Sequence, residues 1–257
     1  MLELKNELLT IARKAGETII EIYETGDFSI EAKADDSPLT IADKTANDII
    51  CAGLELMSKK YPIISEENKL VDYEERSTYE YYWLVDPLDG TKEFIKKNGE
   101  FTVNIALIHN TRVVMGVVYA PVLKEMYWAV KGEGAYLEVD GAEHKLSAND
   151  FTMADEGLRV VCSRSHLNEE TQAFVDDLKT PELVSKGSSL KFLILAKGDA
   201  ELYPRIAPTM EWDTAAAQIV LEEAGGSVKI FGTDDPVIYN KRDLLNPYFV
   251  ASANKTA

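Results

Sequence analysis

The sequence predicts a layered protein of the α+β class, with helices and sheets in two closely packed sub-domains. Two amphipathic helical segments and then a run of strands occupy residues 1–150. Residues 151–257 instead alternate strand and helix. The halves meet at a short polar connector, 148–157, and no repeat or low-complexity tract occurs. This order of elements is typical of helices and sheets stacked in layers.

Hydrophobic periodicity and turn residues predict each element in order. Apolar residues every three or four positions indicate helices over 4–24 and 40–60, and Tyr61-Pro62 ends the second. Alternating or β-branched runs bounded by turn residues then indicate strands in YYWLVD, FTVNIALIH, RVVMGVVYAP and, twice, in EMYWAVKGEGAYLEVDG. The second half is predicted as strand LRVVCS, helix NEETQAFVDDL, helix SSLKFLILAKG, strand AELYPR, helix DTAAAQIVLEEAGG and strands GSVKIF and PYFVASA.

Composition and charge limit the classes of function. The 257 residues carry a formal net charge of −17, which disfavours binding to nucleic acid polymers or anionic membranes. No run reaches the roughly 18 apolar residues of a transmembrane helix, and the charged N-terminus lacks a signal-peptide pattern. Cys51 and Cys162 are interpreted as reduced thiols of a cytoplasmic protein, with a disulfide between them as the alternative.

Acidic residues stand at the boundaries of several predicted elements. They are Asp43 in SPLTIAD, Glu66 in IISEEN, Asp86 and Asp89 in VDPLDGT, and Asp213 in MEWDTAA. Asp86 ends an apolar strand, and the turn that follows can direct Asp89 back toward it. Two close carboxylates oppose each other's ionisation unless a cation lies between them.

Each acid also has a purely structural interpretation. Thr40 and Asp43 fit a capping box, Asp213 fits a helix N-cap, and the segment from Asp86 to Gly90 contains turn dipeptides. Together, however, the acids favour a metal site. The cluster offers oxygen ligands and the chain has no HExxH or CxxC motif, so the sequence predicts Mg²⁺ or another hard cation rather than Zn²⁺.

A competing phosphatase motif is Asp-x-Asp-Gly-Thr, which ends a strand in haloacid-dehalogenase-type enzymes. Here Asp86 lies three residues before Asp89, because Pro87 and Leu88 intervene. The extra residue would misplace the nucleophile relative to its acid, so we reject this interpretation.

The segment DPLDGTKEF resembles the signature of the inositol monophosphatase superfamily of Mg²⁺-dependent, lithium-sensitive phosphatases. KADDSPLTIAD, ISEE and PTMEWDTAAAQIVLEEAGG extend the resemblance over nearly the whole chain. SRSH, GSSLKF, YPR and EWDTAA are more similar to the bacterial CysQ-type 3'(2'),5'-bisphosphate nucleotidases. The resemblance implies a layered α/β/α/β/α sandwich of the inositol monophosphatase/fructose-1,6-bisphosphatase type. It also implies hydrolysis of adenosine 3',5'-bisphosphate, a by-product of sulfate activation, to AMP and phosphate.

The resemblance further implies which residues hold metal. A first Mg²⁺ would be bound by Glu66, Asp86 and the backbone carbonyl of Leu88. A second would be bound by Asp86, Asp89 and Asp213, and a third, weaker ion would lie near Glu66.

Roles in catalysis and substrate binding follow from the same resemblance. Asp43 and Thr91 would orient and deprotonate the attacking water. The residues expected to contact the nucleotide bisphosphate are Glu66, Gly90, Thr91, His166, Ser188, Lys191, Arg205 and Asp213.

Two rival functions remain open at this point. An inositol or sugar monophosphatase would not need the set Ser188, Lys191 and Arg205. A non-catalytic nucleotide or phosphate sensor would not need the pair Asp43 and Thr91. The sequence also leaves open the oligomeric state and peripheral attachment to the cytoplasmic face of the inner membrane.

Overall fold

The computed structural model describes residues 1–26, 28, 30–32, 38–162 and 168–256. After a 3₁₀ turn at Leu2–Leu4, the helices are α1 Lys5–Thr25, α2 Ile41–Leu56, α3 Tyr73–Arg76, α4 Thr91–Ile95, α5 Glu169–Asp176, α6 Leu190–Ala196 and α7 Glu211–Glu223. The strands are β1 Glu31–Ala32, β2 Pro38–Leu39, β3 Ile63–Ser65, β4 Tyr81–Asp89, β5 Thr102–His109, β6 Arg112–Ala120, β7 Glu125–Val130, β8 Gly134–Val139, β9 Ala142–Lys145, β10 Asp150–Phe151, β11 Arg159–Cys162, β12 Glu182–Ser185, β13 Leu202–Arg205, β14 Ser227–Ile230, β15 Phe249–Ser252 and β16 Asn254–Lys255.

A seven-stranded sheet forms the centre of the fold. Its strand order is β3-β4-β5-β6-β7-β8-β9, with β3 parallel to β4 and the other neighbours antiparallel. Along β4, Trp83 and Val85 pack in one hydrophobic cluster with α1 and α2, whereas Tyr82 and Leu84 pack in a second cluster with α7. Because both faces are covered, the central strands are apolar at nearly every position.

A five-stranded sheet in the second half adds the remaining layers. Its order is β12-β11-β13-β15-β14; β11 is parallel to β12 and β13, and β15 is antiparallel to β13 and β14. Helices α6 and α7 pack on each other, and α7 contacts strands of both sheets, while α5 packs against β13. Helices and sheets therefore alternate as α/β/α/β/α, which confirms the predicted fold class.

The close approach of α7 to the central sheet depends on Gly116 in β6. A Cβ at this position would lie 2.5 Å from the Ala216 carbonyl oxygen and 2.5 Å from Ile219 Cγ2. Glycine therefore allows the helix that carries Asp213 to lie directly on the strands.

Some elements differ from the sequence-based expectations. Helix α7 begins at Glu211, two residues earlier than predicted, and the short strands β3, β9, β10, β12 and β16 were not predicted. Every residue of β9 is exposed, so its sequence AEHK carries no inside–outside alternation. The division at residue 150 stays a prediction; the hydrophobic cluster that includes α7 draws on residues from both halves. Within the described ranges, every helix is too short or too polar to cross a bilayer.

Candidate active site and metal centre

Parallel pairing of β3 with β4 brings Glu66 and Asp86 together. Ser65 pairs with Val85, so the residues that follow them, Glu66 and Asp86, lie at the same end of the two strands. The Glu66 N–H donates to the Val85 carbonyl at 3.1 Å, so the hydrogen bonding between the two strands continues to Glu66. Asp213 projects from the first turn of α7, and one carboxylate oxygen from each of the three acids lies within 4.8 Å of the other two.

A β-bulge in β4 explains how Asp86 and Asp89 serve one site. Their partners in β5 are only two residues apart, so Pro87 and Leu88 together oppose a single residue. In a regular strand, residues three apart point to opposite faces; the additional residue returns Asp89 to the face of Asp86. Leu88 accordingly packs in the cluster with α1 and α2, on the opposite face. Proline is tolerated here because a bulge needs no ladder hydrogen bond from it.

Burial and like charges make the acidic cluster unfavourable on its own. Asp86 is 1% exposed, and its Oδ2 receives no N–H or O–H donor among the described residues. Burial raises the pKa of Asp86 well above its usual range, and the charges of Glu66, Asp89 and Asp213 raise it further. Burial also raises the pKa of Asp213 to about 8, with the Asp89 charge adding to the effect.

These acids fit a hard divalent cation. The ligand atoms are oxygens, and they converge. Asp86 Oδ2 is a buried carboxyl oxygen without a hydrogen-bond donor among the described residues, and a cation would satisfy it. The Leu88 carbonyl accepts from Thr91 Oγ1 at 3.3 Å, and its predicted place among the metal ligands stays a prediction.

Asp43 uses its two carboxylate oxygens for two different purposes. Oδ2 accepts from the Thr40 N–H at 2.7 Å and from the Thr40 hydroxyl at 2.6 Å, which forms the capping box of α2. Oδ1 accepts from Thr91 Oγ1 at 3.0 Å. The structure therefore shows the capping box, and it places Asp43 and Thr91 in hydrogen-bond contact; their role in activating water stays a prediction.

Gly90 places Thr91 at the start of α4. Its φ of 97° lies in the left-handed region, and a Cβ there would be 3.0 Å from the Glu100 carbonyl oxygen. Glycine therefore permits the sharp turn that directs the Thr91 hydroxyl toward Asp43.

A cleft of about 570 Å³ opens beside the acidic cluster, and most of the predicted substrate residues line it. Gly90, Ser188, Lys191, Arg205 and Asp213 all line it. His166 and the SRSH motif lie outside the described residues.

The two basic side chains predicted to bind substrate, Lys191 and Arg205, each donate to a main-chain carbonyl oxygen. Lys191 Nζ donates to the Ser188 carbonyl at 3.0 Å, and an Arg205 Nη donates to the Pro208 carbonyl at 2.7 Å. Arg205 Nε is buried without an acceptor among the described residues, which suits an anionic ligand. The Ser188 hydroxyl donates to Asp89 Oδ2 at 2.7 Å, so a phosphate contact from it stays a prediction.

A model of the inositol monophosphatase family matches residues 2–257. The chain belongs to the inositol monophosphatase family. Membership makes it a phosphatase, and the metal cluster is the kind of site expected for this metal-dependent family.

Similar proteins cover nearly the full length of the chain. A 3'(2'),5'-bisphosphate nucleotidase CysQ of Escherichia coli K12 is 44% identical over 249 residues, covering 96% of this chain and 98% of that protein. The CysQ of Salmonella typhimurium is 43% identical over 244 residues, covering 95% and 97%. The crystal structure of CysQ from Bacteroides thetaiotaomicron, described as a bacterial member of the family, is 45% identical with a TM-score of 0.84, covering 98% of both chains. A Thermotoga maritima IMPase, 23% identical with a TM-score of 0.78 over 99% and 93% of the chains, shows the shared fold.

The structure adds residues to this inositol monophosphatase-type site that the sequence interpretation missed. Lys92, Lys96 and Lys186 also line the cleft, as does Tyr203, whose ring lies 5.7 Å from Lys191 Nζ. Lys92 lies within the signature and Lys96 follows Lys92 four residues later, a helical spacing that could have placed both on one face. Ser189 contacts Asp89, and no local sequence pattern predicts that contact.

The metal-free enzyme is expected to gain stability as the pH falls from 8 to 6. The folded chain keeps a proton on Asp213 up to a pKa of about 8, whereas the ordinary value is 3.8. Between these values the folded state binds more protons than the unfolded state, so the free energy of unfolding falls as the pH rises. Thermal unfolding in EDTA measures this directly.

Added Mg²⁺ should reverse the trend, because a cation binds the ionised carboxylates. Asp213→Asn should flatten the pH dependence in EDTA. A melting temperature that rises between pH 6 and 8 in the metal-free wild type would contradict the assigned shift.

Proposed function

We propose that this phosphatase removes the 3'-phosphate of adenosine 3',5'-bisphosphate, giving AMP and inorganic phosphate. The observation that carries the proposal is that clustered acidic oxygens adjoin a cleft that Lys191 and Arg205 also line. Metal ions in the acidic cluster would bind the phosphate that is cleaved. The side chains of Lys191 and Arg205 would bind the phosphate that remains on the product. Relatives at 43–44% identity that are named 3'(2'),5'-bisphosphate nucleotidase support this substrate.

Two Mg²⁺ ions are proposed. Glu66, Asp86 and the Leu88 carbonyl would hold the first, and Asp86, Asp89 and Asp213 the second. When bound, the ions supply positive charge to the phosphate oxygens and lower the pKa of the attacking water. A third, weaker ion near Glu66 stays a prediction.

Thr91 and Asp43 would hold the attacking water and take its proton. Thr91 Oγ1 donates to Asp43 Oδ1 at 3.0 Å, which leaves its lone pairs to accept a hydrogen bond from water. A proton then passes from the water to Thr91 as the Thr91 proton passes to Asp43. The water oxygen bonds to phosphorus, the ester P–O bond breaks, and the ribose oxygen keeps the electron pair and takes a proton from solvent.

The rival functions receive less support from the site. A phosphate sensor needs no water-activating pair, yet Asp43 and Thr91 are hydrogen-bonded to each other. An inositol or sugar monophosphatase would use the same metal chemistry but would give Lys191 and Arg205 no second phosphate to bind.

The proposed substrate links the enzyme to sulfate activation, and we propose a cytoplasmic location for it. Peripheral attachment to the inner membrane, which the sequence leaves open, is not part of this proposal.

The proposal is tested by phosphate release from adenosine 3',5'-bisphosphate, AMP and inositol 1-phosphate in parallel, with Mg²⁺, with EDTA and with added lithium. Preference for the bisphosphate, lost in EDTA and inhibited by lithium, is expected. Preference for inositol 1-phosphate would keep the metal centre but overturn the substrate. No release from any of them would favour the sensor.

The variant Lys191→Ala tests whether this lysine binds the second phosphate of the substrate. We expect a larger loss of kcat/KM for the bisphosphate than for adenosine 3'-monophosphate, because only the bisphosphate carries the group that Lys191 would bind. Lys186→Ala, at another cleft lysine, is the matched control. Equal losses on both substrates would remove Lys191 from the second-phosphate site.

A further inference from the structure

Ser189 joins two acids that come from opposite halves of the chain. Its Oγ lies 2.6 Å from Asp89 Oδ2 and 2.8 Å from the Asp213 carbonyl oxygen, and its backbone N–H donates to Asp89 Oδ2 at 2.6 Å. Asp89 stands at the end of β4 and Asp213 in the first turn of α7. A single residue at the start of α6 therefore bridges the two elements that carry these acids.

The serine hydroxyl is itself held in a fixed orientation. Asn104 Nδ2 donates to Ser189 Oγ at 2.8 Å, so the hydroxyl proton is directed toward Asp89 and Asp213. Ser189 is 2% exposed and Asn104 is 1% exposed, so water has little access to compete for these bonds.

Among the described residues, the hydrogen bonds to the Asp89 side chain are all accepted by the same oxygen, Oδ2. Oδ2 accepts from Ser188 Oγ, Ser189 N–H and Ser189 Oγ within 2.7 Å, and from Asn104 Nδ2 at 3.4 Å. Among the described residues, none donates to Oδ1. The arrangement fixes the carboxylate plane and keeps the second oxygen available for another partner.

The backbone at this loop supports a dedicated role. Ser188 has a φ of 52°, a conformation that costs a residue other than glycine some strain. That conformation turns the Ser188 hydroxyl and the Ser189 N–H toward the same Asp89 oxygen.

We propose that Ser189 is a positioning residue that sets the orientation of Asp89 and its spacing from Asp213, and thereby the affinity of the second metal site. The inference rests on the proposed metal-binding function. Ser189 acts through its contacts with the two acids. Hydrogen-bond partners of metal-ligating carboxylates typically contribute about 10- to 100-fold in metal affinity.

The test is Ser189→Ala, compared with the wild type by Mn²⁺ titration followed by electron paramagnetic resonance and by Mg²⁺ calorimetry. We expect the second metal to bind about tenfold more weakly or worse. In steady-state assays, the Mg²⁺ concentration for half-maximal rate should rise while KM for substrate stays unchanged. Ser252→Ala is the matched control, since Ser252 is also a buried serine with one hydroxyl partner, Ser227, at 3.1 Å.

The outcomes separate the inference from the function on which it rests. A wild-type enzyme that binds no divalent metal would overturn the proposed function itself. Normal metal binding by Ser189→Ala would overturn only the positioning role. If Ser189→Ala does not fold, Ser189→Cys replaces the hydroxyl with a weaker donor at the same position; a weaker second site is then expected, and unchanged affinity would overturn the inference.

Discussion

Asp86→Asn is expected to abolish phosphate release and to raise the melting temperature of the metal-free enzyme. Asp86 is buried against Glu66, Asp89 and Asp213, and their charges together with burial raise its pKa. Asparagine cannot ionise and adds an N–H donor, so the metal-free fold no longer bears the cost of burying an ionisable carboxyl among like charges. It also removes a ligand of both proposed metal ions, so Mg²⁺ should no longer raise the melting temperature.

The stability gain should be larger at pH 8 than at pH 6, because more of the cluster is ionised at the higher pH. Glu201→Gln is a matched control with the opposite sign. Glu201 is 7% exposed, outside the cluster, and its carboxylate accepts hydrogen bonds from the Arg159 side chain and backbone N–H. Removing its charge leaves Arg159 without that ion pair, which should lower the melting temperature while activity persists. Turnover retained by Asp86→Asn would refute the metal assignment.

The sequence predicted the layers of the fold because both helical and strand periodicities are strong in the central elements. It could not predict strands whose pairing is set by tertiary contact. Strand β9 is exposed at every residue, and β3 is a three-residue segment whose partner is fixed only by parallel pairing with β4. That pairing is also what places Glu66 beside Asp86.

The positions of the Asp86 and Asp89 side chains could not be predicted from their spacing in the sequence. Counted along the chain, three residues would put their side chains on opposite faces of a strand. The resemblance to a phosphatase signature implied that both bind metal, but only the bulge at Pro87 and Leu88 explains how they can. The contact of Ser189 with Asp89 joins positions 100 residues apart, beyond the reach of any local pattern.

Asp43 caps α2 and also accepts from Thr91, and mutation can separate the structural role from the proposed catalytic one. Thr91→Val removes the hydroxyl that bonds to Oδ1, whereas Thr40→Ala removes the hydroxyl that bonds to Oδ2. We expect Thr91→Val to lower kcat by roughly 10²-fold or more, in the range that loss of general-base catalysis costs. Its metal affinity and melting temperature should change little.

Thr40→Ala is expected to show the opposite pattern. Loss of the N-cap hydroxyl should reduce the free energy of unfolding by about 1 kcal/mol, while kcat falls far less than in Thr91→Val. Asp43→Asn should combine both defects, because one amide oxygen cannot serve the helix cap and the Thr91 hydroxyl together. Urea unfolding and single-turnover phosphate release at saturating Mg²⁺ measure the two effects separately. If Thr91→Val keeps its full rate while Asp43→Asn is only destabilised, Asp43 serves the helix cap and the water is deprotonated elsewhere.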